Sequence, residues 1–141
     1  MSKPEQAAWD ALRPILAGAD LDPRRVENVV GPGHPDVNYC GGDIELKAMA
    51  DFPVRVDTAI KVPEFTGEQA GWLLKRQEAG GRAWLLVRVG QWWFLFDALA
   101  AHQIFKGELT QEEWRQRSTW YGTLSDKLHR AWLIAKLKGV K

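Results

Sequence analysis

Two almost unbroken apolar runs, residues 82–89 and 91–97, are separated by the single glycine Gly90. Runs of this length bounded by glycine read as buried strands, so the chain must supply layers that cover them. Before them, residues 66–79 have helical character, opening at Thr66 and stopping at Gly80-Gly81. A first helix is predicted over residues 4–17, where Ala7, Ala8, Leu12, Ile15 and Leu16 recur at helical spacing and Ser2 with Glu5 forms a capping box. Residues 25–30 are rich in β-branched side chains and close on Gly31-Pro32-Gly33, which predicts a strand and a loop. Residues 36–40 and 43–50 flank Gly41-Gly42, a hairpin signal. Residues 51–65, with Pro53 and Pro63, read either as a functional excursion or as an irregular edge hairpin. Helices are predicted over residues 110–120, opened by Thr110 and Glu113, and 123–138. The order helix, three strands, helix, two strands, C-terminal helices predicts an α/β sandwich around a mixed sheet.

The 141 residues suit one domain, with residues 1–105 as its core and 106–141 as a helical extension. A net charge of +1 does not by itself announce a nucleic-acid partner, but residues 1–105 carry −3 and residues 106–141 carry +4. The single cysteine, Cys40, excludes an intrachain disulfide and a cysteine-based zinc cluster, and it reads as a small buried side chain in a reducing compartment. The polar start Met-Ser-Lys-Pro-Glu and the interruption of the most apolar segment by Arg88, Gln91 and Asp97 predict neither export nor a membrane span. Eight tryptophans are many for this length but mostly indicate buried area.

A two-residue turn at Gly41-Gly42 would pair Tyr39 with Ile44, Asn38 with Glu45 and Asp36 with Lys47. Successive strand side chains alternate, so Asp36, Asn38, Glu45 and Lys47 share one face, and Val37, Tyr39, Ile44 and Leu46 share the other. The second group is a core face. In the first, Asp36 and Glu45 are diagonal neighbours, about 7 Å apart or less between Cβ atoms, and can converge on one ion. Oxygen ligands favour Mg²⁺ or Mn²⁺ over zinc, and Lys47 is placed to orient or deprotonate a water bound there. Such a set supplies what phosphodiester hydrolysis needs. A salt-bridged, solvated strand face is the alternative reading of the same residues.

Gly33-His34-Pro35-Asp36, followed nine residues after the aspartate by Glu45-Leu46-Lys47, resembles the signature of the PD-(D/E)XK nuclease superfamily. More closely, the chain is similar to small phage and bacterial members related to the virus-type replication-repair nuclease domain and to Holliday-junction resolvases. The resemblance spans residues 25–97 and includes Gln69 on the following helix and the Gly80-Gly81-Arg82-Ala83-Trp84 approach to the next strand. It implies a restriction-endonuclease-like fold, a bacterial cytoplasmic setting, phage-encoded members included, and a DNA endonuclease that uses Mg²⁺ or Mn²⁺. It further implies Asp36, Glu45 and the Leu46 carbonyl as metal ligands and Lys47 as the catalytic lysine. An additional acidic residue falls to Glu27 or to Glu5, of which Glu27 is favoured because Glu5 serves a helix cap. Branched DNA is the expected substrate, and a homodimer follows if two cuts require two sites.

Gln69 either touches the water or scissile phosphate or only completes the capping box of Thr66. His34 stands beside the expected site as a phosphate contact, and Asn38 shares its face. Cations to meet DNA are Arg76 and Lys75 on the Gln69 helix, and Arg55 and Lys61 on the excursion. On the last helix Lys127, Arg130, Lys138 and Lys141 form an arc beside a stripe of Leu124, Leu128, Ala131, Trp132 and Ala135. A non-catalytic DNA- or protein-binding module that retains the nuclease fold, and a scaffold protein, are the competing functions.

Overall fold

The computed structural model describes residues 1–26 and 31–140. Among the described residues, eleven elements run in the order α1 (Lys3–Gly18), β1 (Arg24–Arg25), β2 (Val37–Tyr39), β3 (Gly42–Met49), α2 (Gly67–Glu78), β4 (Ala83–Val89), β5 (Trp92–Asp97), α3 (Ala98–Phe105), α4 (Gln111–Arg117), β6 (Trp120–Thr123) and α5 (Lys127–Leu137). The six strands lie side by side in sequence order, antiparallel except for the parallel pair β3 and β4. A parallel pair cannot be joined by a tight turn, and residues 50–82 provide the crossover through α2. The chain is an α/β fold whose mixed sheet is flanked by helices, as expected.

Strand alternation divides the core in two. Val37, Tyr39, Ile44, Leu46, Leu86, Trp93, Leu95 and Trp120 face α1 and α5. Leu85, Val87, Phe94 and Phe96 face α2, α3, α4 and the buried Ile60, Val62 and Phe65 of the excursion. Trp114 of α4 is fully buried edge-on to Phe52, Phe94 and Phe96, while its Nε1 has no acceptor. Trp114→Phe is therefore expected to change stability by less than about 1.5 kcal/mol in a urea titration, because the lost ring area is offset by removal of an unpaired donor.

The hairpin register differs from the sequence expectation. Val37 pairs with Ile44, Asn38 with Asp43 and Tyr39 with Gly42, so the turn is Cys40-Gly41. Gly41 takes the positive φ of 144°, while Gly42 already belongs to β3 and is small because a Cβ there would stand 2.6 Å from the Arg82 carbonyl oxygen. The displacement is two residues, which preserves the face of every side chain. Cys40, at the turn, is exposed rather than buried.

Three further expectations change. Residues 51–65 hold turns and bends with no strand. Helix α3 follows β5 directly, because Asp97 accepts the Ala100 N–H as its N-cap. The predicted helices of the last third give way at residues 118–123, where the aromatic run Trp120-Tyr121 forms β6 on β5, and α5 begins at its Asp126 cap. Helix α5 turns Leu133 and Leu137 inward, leaving Leu128 55% and Trp132 53% exposed. The predicted apolar stripe is thus not its packing face, and Arg130 of the basic arc donates to the Leu124 carbonyl. Lys141 lies outside the described residues. Among the described residues no helix is long and apolar enough to cross a membrane.

Candidate functional site

Central strands covered on both faces are ordinarily apolar throughout. Strand β3 departs from this at Glu45 and Lys47, both on its α2 side and both buried, with exposures of 0% and 4%. Extended one residue past the Val37–Ile44 pair, to the bend at Asp36, the same register sets Asp36 opposite Glu45. The expected diagonal is thereby replaced by direct opposition, which brings the two carboxylates closer. Asp36 Oδ2 accepts the Leu46 N–H at 3.3 Å. In an extended strand the N–H and C=O of one residue point the same way, so the Leu46 carbonyl is also directed toward Asp36.

Neither oxygen of Glu45 accepts a hydrogen bond. Lys47 Nζ stands 3.4 Å from Oε1, an ion-pair distance outside hydrogen-bond geometry, and donates instead to the Glu64 carbonyl at 3.0 Å. Burial, and next the Asp36 carboxylate, push the Glu45 carboxyl up to about 9 against the opposing pull of Lys47. Burial and Asp36 thus favour the protonated form of Glu45 when no second cation is present. A divalent ion would relieve both the missing hydrogen bonds and the repulsion, so the donor set fits a hard cation. Among the described residues no group of three His, Cys, Asp or Glu side chains forms, which leaves the third protein ligand to a backbone oxygen such as that of Leu46.

Glycine at position 33 assembles the site. Its φ is +76°, and a Cβ there would collide with the Glu68 carbonyl, so only glycine lets the His34-Pro35-Asp36 segment lie against the N-terminus of α2. The result is a cleft of about 360 Å³ lined by Arg25, His34, Asp36, Thr66, Glu68 and Gln69 among others. Asp36 reaches this cleft, whereas Glu45 and Lys47 do not line it.

The remaining predicted residues divide. Gln69 lines the cleft but completes the capping box, its Oε1 accepting the Thr66 N–H while Thr66 Oγ1 accepts its own N–H. His34 lines the cleft with Nδ1 3.0 Å from the Pro35 carbonyl oxygen. Asn38 is exposed and donates to Asp43 and to the Gly42 carbonyl, so it does not join the carboxylates. Lys75, Arg76, Arg55 and Lys61 are exposed, the first two on α2 and the others on the excursion. Glu5 is buried and takes the Ser2 hydroxyl at 3.0 Å, outside the cleft lining. Glu27 lies outside the described residues.

Sequence reasoning missed Arg25, which borders the cleft and donates to Gln6 at 2.8 Å, and the Glu64 carbonyl that receives Lys47. A backbone acceptor on a loop leaves no signature in residue type. It also missed Trp72, although Trp72 lies one helical turn from both Gln69 and Arg76. No protein-family model matches the chain, and comparison with curated proteins returns no match.

Proposed function

We propose that the protein is a divalent-metal-dependent DNA endonuclease that hydrolyses phosphodiester bonds. The observation that carries this reading is the Glu45 carboxyl, sealed in a central strand with neither oxygen hydrogen-bonded, opposite Asp36 and beside the Lys47 ammonium. A buried group left so costly to desolvate is characteristic of a functional site. Asp36, Glu45 and the Leu46 carbonyl would hold Mg²⁺ or Mn²⁺, which when bound supplies a Lewis acid for phosphoryl oxygens and acidifies a water ligand. Lys47 would orient the attacking water and offset charge on the phosphoryl group, with its stem and Nζ held by β3 and the Glu64 carbonyl. The half-buried Asp36 would meet the substrate side of the ion. Branched DNA as substrate, a homodimer and a bacterial cytoplasmic setting belong to the same proposal through the resemblance to small resolvases.

The test is cleavage of plasmid, single-stranded and four-way-junction DNA with Mg²⁺ or Mn²⁺ by the wild type and by Asp36→Ala, Glu45→Ala and Lys47→Ala. Each substitution is expected to lower the rate at least about 100-fold; unchanged cleavage by all three defeats the assignment. One observation favours a second reading, a non-catalytic module with the nuclease fold: Glu45 and Lys47 do not line the cleft. Calorimetric titration separates the two, because that reading requires DNA affinity with no Mn²⁺ binding.

A further inference from the structure

Among the described residues Arg13, Arg55, Arg76, Arg82 and Arg117 have neither an ion-pair partner nor a side-chain hydrogen bond, and of these Arg76 alone lies over an aromatic ring. Arg24 and Arg115 are ion-paired, and Arg25, Arg88 and Arg130 donate to named acceptors. Arg76 is exposed and takes part in none of the ion pairs among the described residues. Its guanidinium is nevertheless held, with Cζ 4.7 Å from the centre of the Trp72 ring. Its stem lies over Gly81, where a Cβ would come within 2.8 Å of the Arg76 Cδ. Stacking on an aromatic face occupies the plane of a guanidinium and leaves its N–H edge free, the arrangement suited to a phosphate.

Trp72 also meets His34, their ring centroids 5.0 Å apart and tilted by 59°. His34 lines the Asp36 cleft, and Trp72 lines a second depression of about 380 Å³ with Lys75, Arg76 and Ala79, so the ring contact stands between two depressions beside α2, which we read as one groove. From Gln69 to Arg76 the helix rises about 10 Å, a short step for the next phosphates of one strand. Trp72 is taken up by Arg76 and His34, so it acts as a spacer between those two side chains rather than as a platform for a base. Among the described residues the carboxylates bordering the two depressions, Asp36 and Glu68, both line the first of them, which places the attraction for an anion at the Arg76 end.

Resting on the nuclease reading, we propose that this groove seats the phosphodiester backbone of the strand that flanks the scissile phosphate. In it Arg76 contacts a phosphate, and Trp72 is the positioning residue that holds Arg76 and His34 in line.

The test compares wild type with Arg76→Gln, Trp72→Ala, Trp72→Phe and Gly81→Ala. It measures KM for plasmid cleavage, oligonucleotide affinity across a salt series, and Mn²⁺ binding by calorimetry. Arg76→Gln should weaken DNA binding about fivefold and flatten the salt slope by about 0.9 for duplex. Trp72→Ala and Gly81→Ala keep every charge, yet should weaken binding to a similar degree because the guanidinium is no longer held. Trp72→Phe should bind within about twofold of wild type, since it retains an aromatic face. Mn²⁺ affinity should be the same in all.

If folded Trp72→Ala and Gly81→Ala bind like wild type, or Arg76→Gln keeps the full salt slope, the groove assignment is overturned. Cleavage by wild type with unchanged KM in every variant sinks the groove alone. Absence of both cleavage and Mn²⁺ binding, with DNA affinity still dependent on Arg76 and Trp72, sinks the nuclease and supports the groove as a binding surface.

Discussion

Glu45→Gln is expected to abolish cleavage and, in the presence of a chelator, to raise the melting temperature at neutral pH. In the metal-free fold the Glu45 carboxyl is pushed up from 4.5 to about 9, first by burial and then by Asp36. A carboxyl raised on folding contributes fully below its unfolded value and loses that contribution as pH climbs toward the folded value. Wild-type stability should therefore fall between about pH 4.5 and 9, with a cost near pH 7 of about 3 kcal/mol. Glutamine has the same shape and no proton to lose, so the variant should melt about 10 °C higher at pH 7 and converge with wild type at about pH 4, below the unfolded value. Saturating Mn²⁺ should reverse the order, because ligand binding to the folded state stabilises wild type by about 3 kcal/mol at a hundred times its dissociation constant, and the variant has lost a ligand. Thermal melts at three pH values, with chelator and with Mn²⁺, measure all of this. A variant that melts below wild type at pH 7 in chelator would mean that Glu45 is ionised and satisfied by Lys47.

Lys47→Met should separate binding from chemistry. Methionine fills much the same buried volume, so the sheet is retained, and loss of the bond to the Glu64 carbonyl should cost about 1 kcal/mol. Removing the ammonium takes a like charge away from the cation site, so Mn²⁺ affinity should hold or rise. Single-turnover cleavage, in contrast, should fall about 10²- to 10⁴-fold if Lys47 handles the water or the developing charge. Loss of Mn²⁺ binding together with activity would instead make Lys47 a residue that shapes the site through the excursion, whose Glu64 sits at φ +61° beneath that hydrogen bond.

The candidate site was legible where local rules are strict. Helix caps at Ser2, Thr66 and Thr110 were readable because each is a side chain bonding its own backbone three residues on. Other features were not, each for a nameable reason. Strand β6 is four residues long, too short to show a period, and its identity comes from pairing with β5. The turn shifted to Cys40-Gly41 because Gly42 is demanded by the backbone of Arg82, about forty residues away. The inward face of α5 was misjudged because its sequence offers two apolar pairs one turn apart, and Leu133 and Leu137 rather than Leu128 and Trp132 are taken into the core.

Residue order by itself determined which side chains travel together. Asp36, Glu45 and Lys47 stay on one side of the hairpin in either register, because a two-residue shift leaves the alternation of a strand unchanged. Their surroundings were decided only in three dimensions. The parallel partner β4 and the overlying α2 turn that face from a solvated patch into an interior, and desolvation there leaves a carboxylate without donors, as no local pattern of residues can.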